Sequence, residues 1–284
     1  MNIRRVGVLG SGIMGSGIAE VVAAAGATVI VRSRSQATAD AMLVSLEKSL
    51  AKQVEREKRT QESADALRAR ITATTNLQEL ADCDLIIESV VENLDVKLAL
   101  FNELNNVIGE NTILATNTST LSVMDLALEV SRPERVCGIH FFNPAPTMSI
   151  VEIVRPMSAN DETMETVTAF VVACGKEPVI VKDQAGFVVN ALLFPYLNNA
   201  IRLLEQEVAS KEDIDAAMKG GCGFPMGPFA LLDLVGLDTS LAILEALHAE
   251  FDEHNYSPAP LLRQMVSDGF LGRKSGAGFY DYRR

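Results

Sequence analysis

The chain has 284 residues, 48% of them hydrophobic and 5% aromatic, with no Trp. This composition suits an α/β protein rich in Ala, Val and Leu, and the length is sufficient for two domains. A formal net charge of −12 argues against nucleic acid as a partner, because phosphate backbones require a basic surface. No apolar run approaches the ~20 residues of a membrane span, and no signal-peptide core follows Met1, so we expect a cytoplasmic protein without a membrane partner.

The cysteines are widely scattered along the chain, at Cys83, Cys137, Cys174 and Cys222. They form no C-x-x-C pair, and three of them have apolar or small neighbours. Reduced thiols that pack in the interior are therefore expected rather than disulfides or metal ligands. The sequence contains no zinc-binding pattern.

The first predicted strand, residues 3–9, runs directly into a glycine-rich loop. In this G-x-G-x-x-G pattern Gly10 allows a tight turn, Gly12 allows a pyrophosphate to approach the backbone, and Gly15 allows close helix packing. An Ala-rich helix over 13–25 and a strand over 27–31 complete a βαβ unit, and the free N–H groups at the helix start attract phosphate. The predicted cofactor-binding residues of the loop are Gly10, Gly12, Ile13, Met14 and Gly15.

The end of the second strand lacks the Asp or Glu that usually binds the ribose hydroxyls of NAD. Ser33 and Arg34 stand there, and the next carboxylate, Asp40, falls within the following helix. A carboxylate at position 33 would repel a 2′-phosphate, whereas a hydroxyl beside a guanidinium can bind one. We therefore expect NADP to be favoured over NAD. The alternative is that Arg34 is solvated or stacks on adenine, and that NAD still binds through the glycine loop.

A long polar helical region over 36–69, with a break near 59–60, is an insertion in a simple doubly wound fold. It carries Lys48, Lys52 and Arg56 among several glutamates. These cations can form a local patch for a small polyanion, or belong to a solvated face with intrahelical ion pairs. From the residues alone, the solvated face is the favoured interpretation.

Strands and helices then alternate. Strands are predicted at 70–73, 85–90, 113–116, 136–140, 149–154 and 177–181, with helices at 95–107, 122–128 and 161–174. This alternation predicts a Rossmann-like, doubly wound, mostly parallel sheet. After Gly186 only helices are predicted, at 188–207, 211–219, 229–248 and 259–267. The sequence thus divides into a dinucleotide-binding domain, 1–182, and an all-helical domain, 183–284.

His140 ends a predicted strand on the side of the sheet that faces the ligand crevice, and Glu152 emerges from the next strand. Oxidation of an alcohol requires a base near neutral pKa, and a histidine oriented by a carboxylate supplies one. The alternative is a structural histidine under the sheet.

Ser119 follows another strand end, where it can reach the same crevice or cap the next helix, a role that Ser122 can also fill. Asn190 is polar among apolar neighbours early in the helical domain. It is either a buried interdomain hydrogen-bonding group or a substrate ligand.

Taken together, these segments resemble the L-3-hydroxyacyl-CoA dehydrogenase family over essentially the whole chain, and most closely its short-chain, 3-hydroxybutyryl-CoA members. The motifs that carry the likeness, besides the glycine loop, are E-S-V-V-E-N-L-D-V-K (88–97), N-T-S (117–119), H-F-F-N-P (140–144), G-K-E-P (175–178), G-F (186–187) with Asn190, G-F-P-M-G-P (223–228) and G-R-K-S-G-A-G-F-Y (272–280).

The resemblance implies a role for each matching residue. His140 is the catalytic acid/base and Glu152 its orienting partner, while Ser119 and Asn190 bind the 3-oxygen and thioester of an acyl-CoA. Glu92 and Lys97 match positions near the nicotinamide half of the cofactor, Asn117 is also expected to bind the cofactor, and Asn143 is expected to bind the substrate. The polar region corresponds to an arm on which Lys48, Lys52 and Arg56 meet the CoA phosphates. The resemblance also implies a homodimer formed through the helical domain, where residues 188–204 are apolar.

Two positions depart from the family pattern. Ser33 stands where the family usually has an acid, and Ala191 stands where it often has Arg, which alters either domain packing or the acyl pocket. The predicted reaction is the reversible oxidation of an (S)-3-hydroxyacyl-CoA, above all 3-hydroxybutyryl-CoA, to the 3-ketoacyl-CoA with NADP or NAD.

Two alternatives remain open. A β-hydroxyacid dehydrogenase acting on a free acid would share the fold but typically uses a catalytic lysine. A non-enzymatic dinucleotide sensor would not need His140 with Glu152.

Overall fold

Within residues 3–283, which the computed structural model describes, eight strands form one sheet in the order β3-β2-β1-β4-β5-β6-β7-β8. Neighbouring strands are parallel except β6 and β7, which are antiparallel. The bounds are β1 Arg5–Leu9, β2 Thr28–Arg32, β3 Ile71–Thr74, β4 Leu85–Glu88, β5 Ile113–Thr116, β6 Val136–Phe141, β7 Ile150–Arg155 and β8 Glu177–Lys182. The predicted doubly wound, mostly parallel sheet is confirmed.

Helices connect the strands, as expected for parallel neighbours, which require crossover connections. Their bounds are α1 Ile13–Ala24, α2 Gln36–Glu55, α3 Gln61–Ala69, α4 Leu94–Asn105, α5 Val123–Ala127 and α6 Asp161–Ala173. Every residue of β4, β5 and β6 is buried, because helices cover both faces of a parallel sheet. The arm formed by α2 and α3 joins the same core through Met42, Leu46 and Leu50 at helical spacing.

The sheet places the ends of several strands at one edge. β1 lies between β2 and β4, so successive connections leave it in opposite directions. In such sheets ligands bind at this switch point, beyond the carboxyl ends of the strands. The glycine loop follows β1 there, and β4, β5 and β6 end at the same edge.

The contacts divide the chain between Asp183 and Gln184. The second unit contains the helices α7 Val189–Glu205, α8 Lys211–Cys222, α9 Pro228–Val235, α10 Leu237–Phe251 and α11 Pro260–Ser267. Its core includes Leu197, Phe229 and Leu244. Among the described residues, no helix combines the length and apolar character needed to cross a membrane.

The prediction of one continuous helix over 229–248 was wrong. The structure breaks it at Gly236, whose φ of +103° lies outside the helical region and is readily adopted by glycine. The side chain of Asp215 then accepts hydrogen bonds from the N–H groups of Phe229 and Ala230 at the start of α9. The apolar run across the break concealed it in the sequence.

Candidate active site

His140 and Glu152 meet because they are directly opposite residues of the antiparallel strands β6 and β7. Such cross-strand pairs place their side chains on the same face of the sheet. His140 Nδ1 lies 2.8 Å from Glu152 Oε2, and the two residues are 4% and 0% exposed. Because a carboxylate oxygen accepts, Nδ1 donates this hydrogen bond. The other ring nitrogen, Nε2, is then the atom that can exchange a proton.

Ser119 completes a three-residue chain. Its Oγ lies 3.1 Å from His140 Nε2, on the loop that follows β5 at the carboxyl edge of the sheet. Ser122, not Ser119, caps α5, since its Oγ accepts a hydrogen bond from the N–H of Asp125. The ring of Phe142 packs against the imidazole with 4.6 Å between centroids. The arrangement Ser119–His140–Glu152 can thus bind an alcohol oxygen and move its proton.

Asn117 fixes the base of the Ser119 loop. Its N–H donates to the carbonyl oxygen of Glu88 at 2.7 Å, and its side-chain Oδ1 accepts from the N–H of Phe141 at 2.8 Å. Asn117 therefore joins the ends of β4, β5 and β6. A role toward the cofactor stays a prediction for this residue.

Lys97 and Glu92, both predicted to lie near the cofactor, contact each other. Lys97 Nζ lies 3.2 Å from a Glu92 carboxylate oxygen and 2.7 Å from Glu88 Oε1, and the Lys97 side chain is 1% exposed. Partial burial would raise the pKa of Glu92, but Lys97 and hydrogen bonds from Thr118 and Ser119 outweigh it and keep the pKa below its usual range. Glu92 is therefore an ionised group beside the Ser119 loop.

Glu88 is the residue that sequence reasoning missed. It is fully buried at the end of β4 and accepts two hydrogen bonds from Lys97. The available signal was a carboxylate that closes an otherwise apolar strand, with a lysine nine positions later on the next helix. A buried charge of this kind requires a charged partner.

The glycine loop has the geometry that a dinucleotide requires. Gly10 has φ +110°, and a Cβ there would lie 2.3 Å from the carbonyl oxygen of Ser89. A Cβ on Gly15 would lie 2.0 Å from the carbonyl oxygen of Gly10, whereas one on Gly12 would meet no atom within 4 Å. Packing thus explains two of the glycines, and open space lies over Gly12.

The start of α1 adds donors to that space. Gly12 is the N-cap and contributes no side-chain hydrogen bond, so the first N–H groups of the helix remain available to a phosphate. Ile13 is 79% exposed, and Met14 is half-buried. These residues fit the pyrophosphate of a nicotinamide dinucleotide.

Ser33 lies at the end of β2, but its hydroxyl is already engaged. Ser33 is 3% exposed, and its Oγ lies 2.7 Å from Ser11 Oγ and 2.5 Å from Thr38 Oγ1. Arg34 is exposed. A ligand therefore does not have free access to the Ser33 hydroxyl. Position 33 carries no negative charge, and the exposed guanidinium of Arg34 lies next to it in the chain. This combination bears on the choice between NAD and NADP.

The remaining predicted residues lie on other segments of the chain. Asn143 is exposed on the connection between β6 and β7. Asn190 is 7% exposed in the first turn of α7, which belongs to the second unit. Lys48, Lys52 and Arg56 are exposed and recur every fourth residue along the arm, at α2 and its C-cap. Their roles toward substrate stay predictions.

Comparison with known proteins identifies the family. Residues 5–184 match the family described as 3-hydroxyacyl-CoA dehydrogenase, NAD binding domain, and residues 186–282 match its C-terminal domain. The chain therefore belongs to the 3-hydroxyacyl-CoA dehydrogenase family. The resemblance inferred from the motifs is thereby confirmed, and so is the presence of a nicotinamide dinucleotide domain.

Individual members of this dehydrogenase family align along the whole chain. The 3-hydroxybutyryl-CoA dehydrogenase of Clostridioides difficile is 44% identical over 99% of this chain and 100% of its own length. The crystal structure of M. tuberculosis FadB2 gives a TM-score of 0.98 at 44% identity, with full coverage of both chains. That of (S)-3-hydroxybutyryl-CoA dehydrogenase PaaH1 from Ralstonia eutropha gives 0.95 at 42% identity, also with full coverage of both.

Proposed function

We propose that this chain catalyses the reversible oxidation of (S)-3-hydroxybutyryl-CoA to acetoacetyl-CoA, with NADP favoured over NAD. The observation that carries the reaction is His140 between Ser119 and Glu152, at the same sheet edge as the glycine loop. The names of the full-length relatives at 44–45% identity support this substrate.

The three residues divide the proton chemistry among them. His140 Nε2 takes the proton of the 3-hydroxyl group, and Glu152 stabilises the imidazolium that results. Ser119 Oγ hydrogen-bonds the substrate oxygen and fixes it next to Nε2. When bound, the nicotinamide ring supplies the acceptor for the hydride that leaves C3. In the reverse direction His140 returns the proton to the substrate oxygen. Asn190 is proposed to bind the thioester, and Asn143 to contact the substrate.

The substrate class is tested by comparing the CoA thioester with free 3-hydroxybutyrate. Binding energy from a remote part of a substrate is used at the reacting carbon, so truncation lowers kcat as well as raising KM. We expect kcat/KM for the thioester to exceed that for the free acid by roughly 10²-fold or more. Equal values would reject the acyl-CoA assignment and favour a free hydroxy acid.

The preference for NADP rests on charge at the end of β2. Ser33 adds no negative charge there, and Arg34 is exposed beside it. An anionic 2′-phosphate is attracted by a guanidinium and repelled by a carboxylate. If the hydroxyls of Ser11, Ser33 and Thr38 exchange partners, one of them can donate a hydrogen bond to a phosphate oxygen.

Ser33→Asp should therefore reverse the cofactor preference. Like charges brought together cost several kcal/mol, so the Kd for NADPH should rise roughly 10²-fold, whereas the Kd for NADH should stay the same or fall. Titration calorimetry measures both constants without turnover. Ser33→Ala is the matched control, because it removes the hydroxyl but adds no charge. An unchanged ratio of the two constants in Ser33→Asp would refute the charge argument.

The arm is proposed to bind the phosphates of CoA through Lys48, Lys52 and Arg56. None of these cations forms an ion pair with another described residue, and their spacing places them on one face. A screened cation–phosphate contact contributes about 1 kcal/mol, so Lys48→Gln with Lys52→Gln should raise the KM for acetoacetyl-CoA roughly tenfold and leave kcat within about twofold. Arg4→Gln, at the amino-terminal edge of the sheet, is the control. An unchanged KM would exclude the arm.

A homodimer formed through the second unit is the proposed assembly. In α7, Leu192 is 71% exposed and Leu203 is 41% exposed, although the helix is largely apolar. Light scattering should give twice the mass of one chain, and Leu192→Lys should give a monomer, because it adds a charge to an apolar contact. A wild-type monomer would contradict this assembly.

A further inference from the structure

We infer that Glu88, Lys97 and Glu92 form a positioning device, here termed the carboxylate–lysine latch, that holds Ser119 against His140. This inference rests on the proposed function, since it assigns the latch a role in the same reaction. The three residues come from the end of β4, from α4 and from the loop between them. Together with the Thr116–Thr118 contacts, they connect the buried sheet to the Ser119 loop through hydrogen bonds and the Lys97–Glu92 ion pair.

The first part of the latch is the buried pair Glu88–Lys97. The Lys97 ammonium lies 2.7 Å from Glu88 Oε1 and 2.8 Å from Oε2, and both side chains are 1% exposed. The same carboxylate accepts from the N–H of Val90 at 2.6 Å and from Thr116 Oγ1 at 2.7 Å. A buried pair contributes little to net stability but fixes the geometry of its groups. Lys97 therefore has a defined place and direction.

The second part is the contact from Lys97 to Glu92, at 3.2 Å to Oε2. The other oxygen of Glu92, Oε1, accepts from Thr118 Oγ1 at 2.5 Å and from the N–H of Ser119 at 2.8 Å. One oxygen therefore contacts the lysine, while the other contacts the loop. Hydrogen bonds to an ionised acceptor are shorter and stronger than neutral ones, so Glu92 fixes the backbone of the catalytic serine itself.

A second route runs from Glu88 to the same loop without Glu92. Thr116 Oγ1 donates to Glu88 Oε2 and accepts from the N–H of Thr118 at 3.1 Å. Both routes thus end at Thr118 or Ser119. The Oγ of Ser119 is 3.1 Å from His140 Nε2. A displacement of about 1 Å in a reacting geometry can cost roughly 10²-fold in rate. The latch would prevent such a displacement.

The competing explanation is that Glu92 acts directly on the cofactor. Its side chain is 39% exposed, so a ligand can contact it. The two explanations differ in what a Glu92 variant changes. Loss of positioning affects catalysis through Ser119 alone, whereas loss of a cofactor contact weakens dinucleotide binding whether or not Ser119 is present.

A double-mutant cycle tests the latch, with kcat for acetoacetyl-CoA reduction measured in wild type, Glu92→Ala, Ser119→Ala and the double variant. We expect each single variant to lose roughly tenfold or more. The double variant should fall within about twofold of Ser119→Ala, because groups that act as a unit are not additive. The Kd for the dinucleotide, measured by calorimetry, should stay within about twofold in Glu92→Ala. The inference would be overturned if the losses of kcat in the two single variants multiplied in the double variant. A raised Kd with unchanged kcat in Glu92→Ala would overturn it as well.

Three variants make the result interpretable. Glu92→Gln keeps an acceptor for the Ser119 N–H and loses the charge, so it should recover part of the lost rate. It also replaces Glu92→Ala in the cycle if that variant does not fold. Lys97→Met should lower kcat with an unchanged Kd, and Glu103→Ala, exposed on the same helix, should match wild type. An unchanged kcat in Ser119→Ala would overturn the latch. The proposed function would still stand in that case, provided that the wild-type protein turns over acetoacetyl-CoA.

Discussion

Replacement of His140 by Ala should lower kcat by ~10²–10⁴, the usual contribution of a general acid/base. The variant removes the nitrogen that exchanges the substrate proton, whereas Ser119 still offers a hydroxyl and the glycine loop is untouched. KM and the Kd for the dinucleotide should therefore change little. Steady-state reduction of acetoacetyl-CoA, with calorimetry for the cofactor, measures these quantities.

The control for this variant is His254→Ala, an exposed histidine outside the described site, which should retain wild-type kcat. A His140→Ala enzyme with near-wild-type kcat would reject the assignment of this residue. A large rise in the Kd for the dinucleotide alone would instead place His140 in cofactor binding.

Glu152→Gln should lower kcat by roughly 10²–10⁴-fold, as expected when an orienting carboxylate is lost. Glutamine has nearly the same shape, and its amide oxygen can still accept from His140 Nδ1. It carries no negative charge, however, so it cannot stabilise the imidazolium that forms when His140 takes the proton. Its amide nitrogen can also rotate toward Nδ1 and favour the wrong tautomer. The measurement is kcat at saturating substrate and cofactor.

Glu177→Gln supplies the matched control, since Glu177 is exposed at the start of the neighbouring strand β8. Thermal unfolding of both variants separates lost chemistry from lost folding. If Glu152→Gln folds normally and keeps its kcat, the carboxylate is a structural partner of the histidine and not part of the proton transfer.

The sequence was most informative where local rules decide the structure. The glycine loop predicts the turn, the helix start and the dinucleotide together, because each glycine has its own steric role. The apolar runs that became β4, β5 and β6 predict a buried parallel sheet, because such strands are covered on both faces. His140 was found because a polar residue that ends such a strand faces the ligand edge.

The geometry of long-range contacts was beyond this reasoning. The pairing of His140 with Glu152 was expected from their chemistry and from the family resemblance. Spacing along the chain could not reveal that β6 and β7 are antiparallel, since their register depends on the packing of the whole sheet. Glu88 was missed because its partner, Lys97, reaches it only after the chain folds. The engagement of the Ser33 hydroxyl by Ser11 likewise depends on two loops that are distant in sequence, whereas Thr38 contacts it from the nearby first turn of α2.

The proposed reaction forms and reduces a 3-ketoacyl-CoA through proton transfer at His140. The most direct test is the reduction of acetoacetyl-CoA by the wild-type protein, followed through consumption of NADPH and NADH in parallel. We expect turnover with both cofactors and a higher kcat/KM with NADPH. A kcat/KM for NADH about tenfold higher or more would remove the cofactor preference and leave the activity. No turnover with either cofactor would refute the proposed reaction.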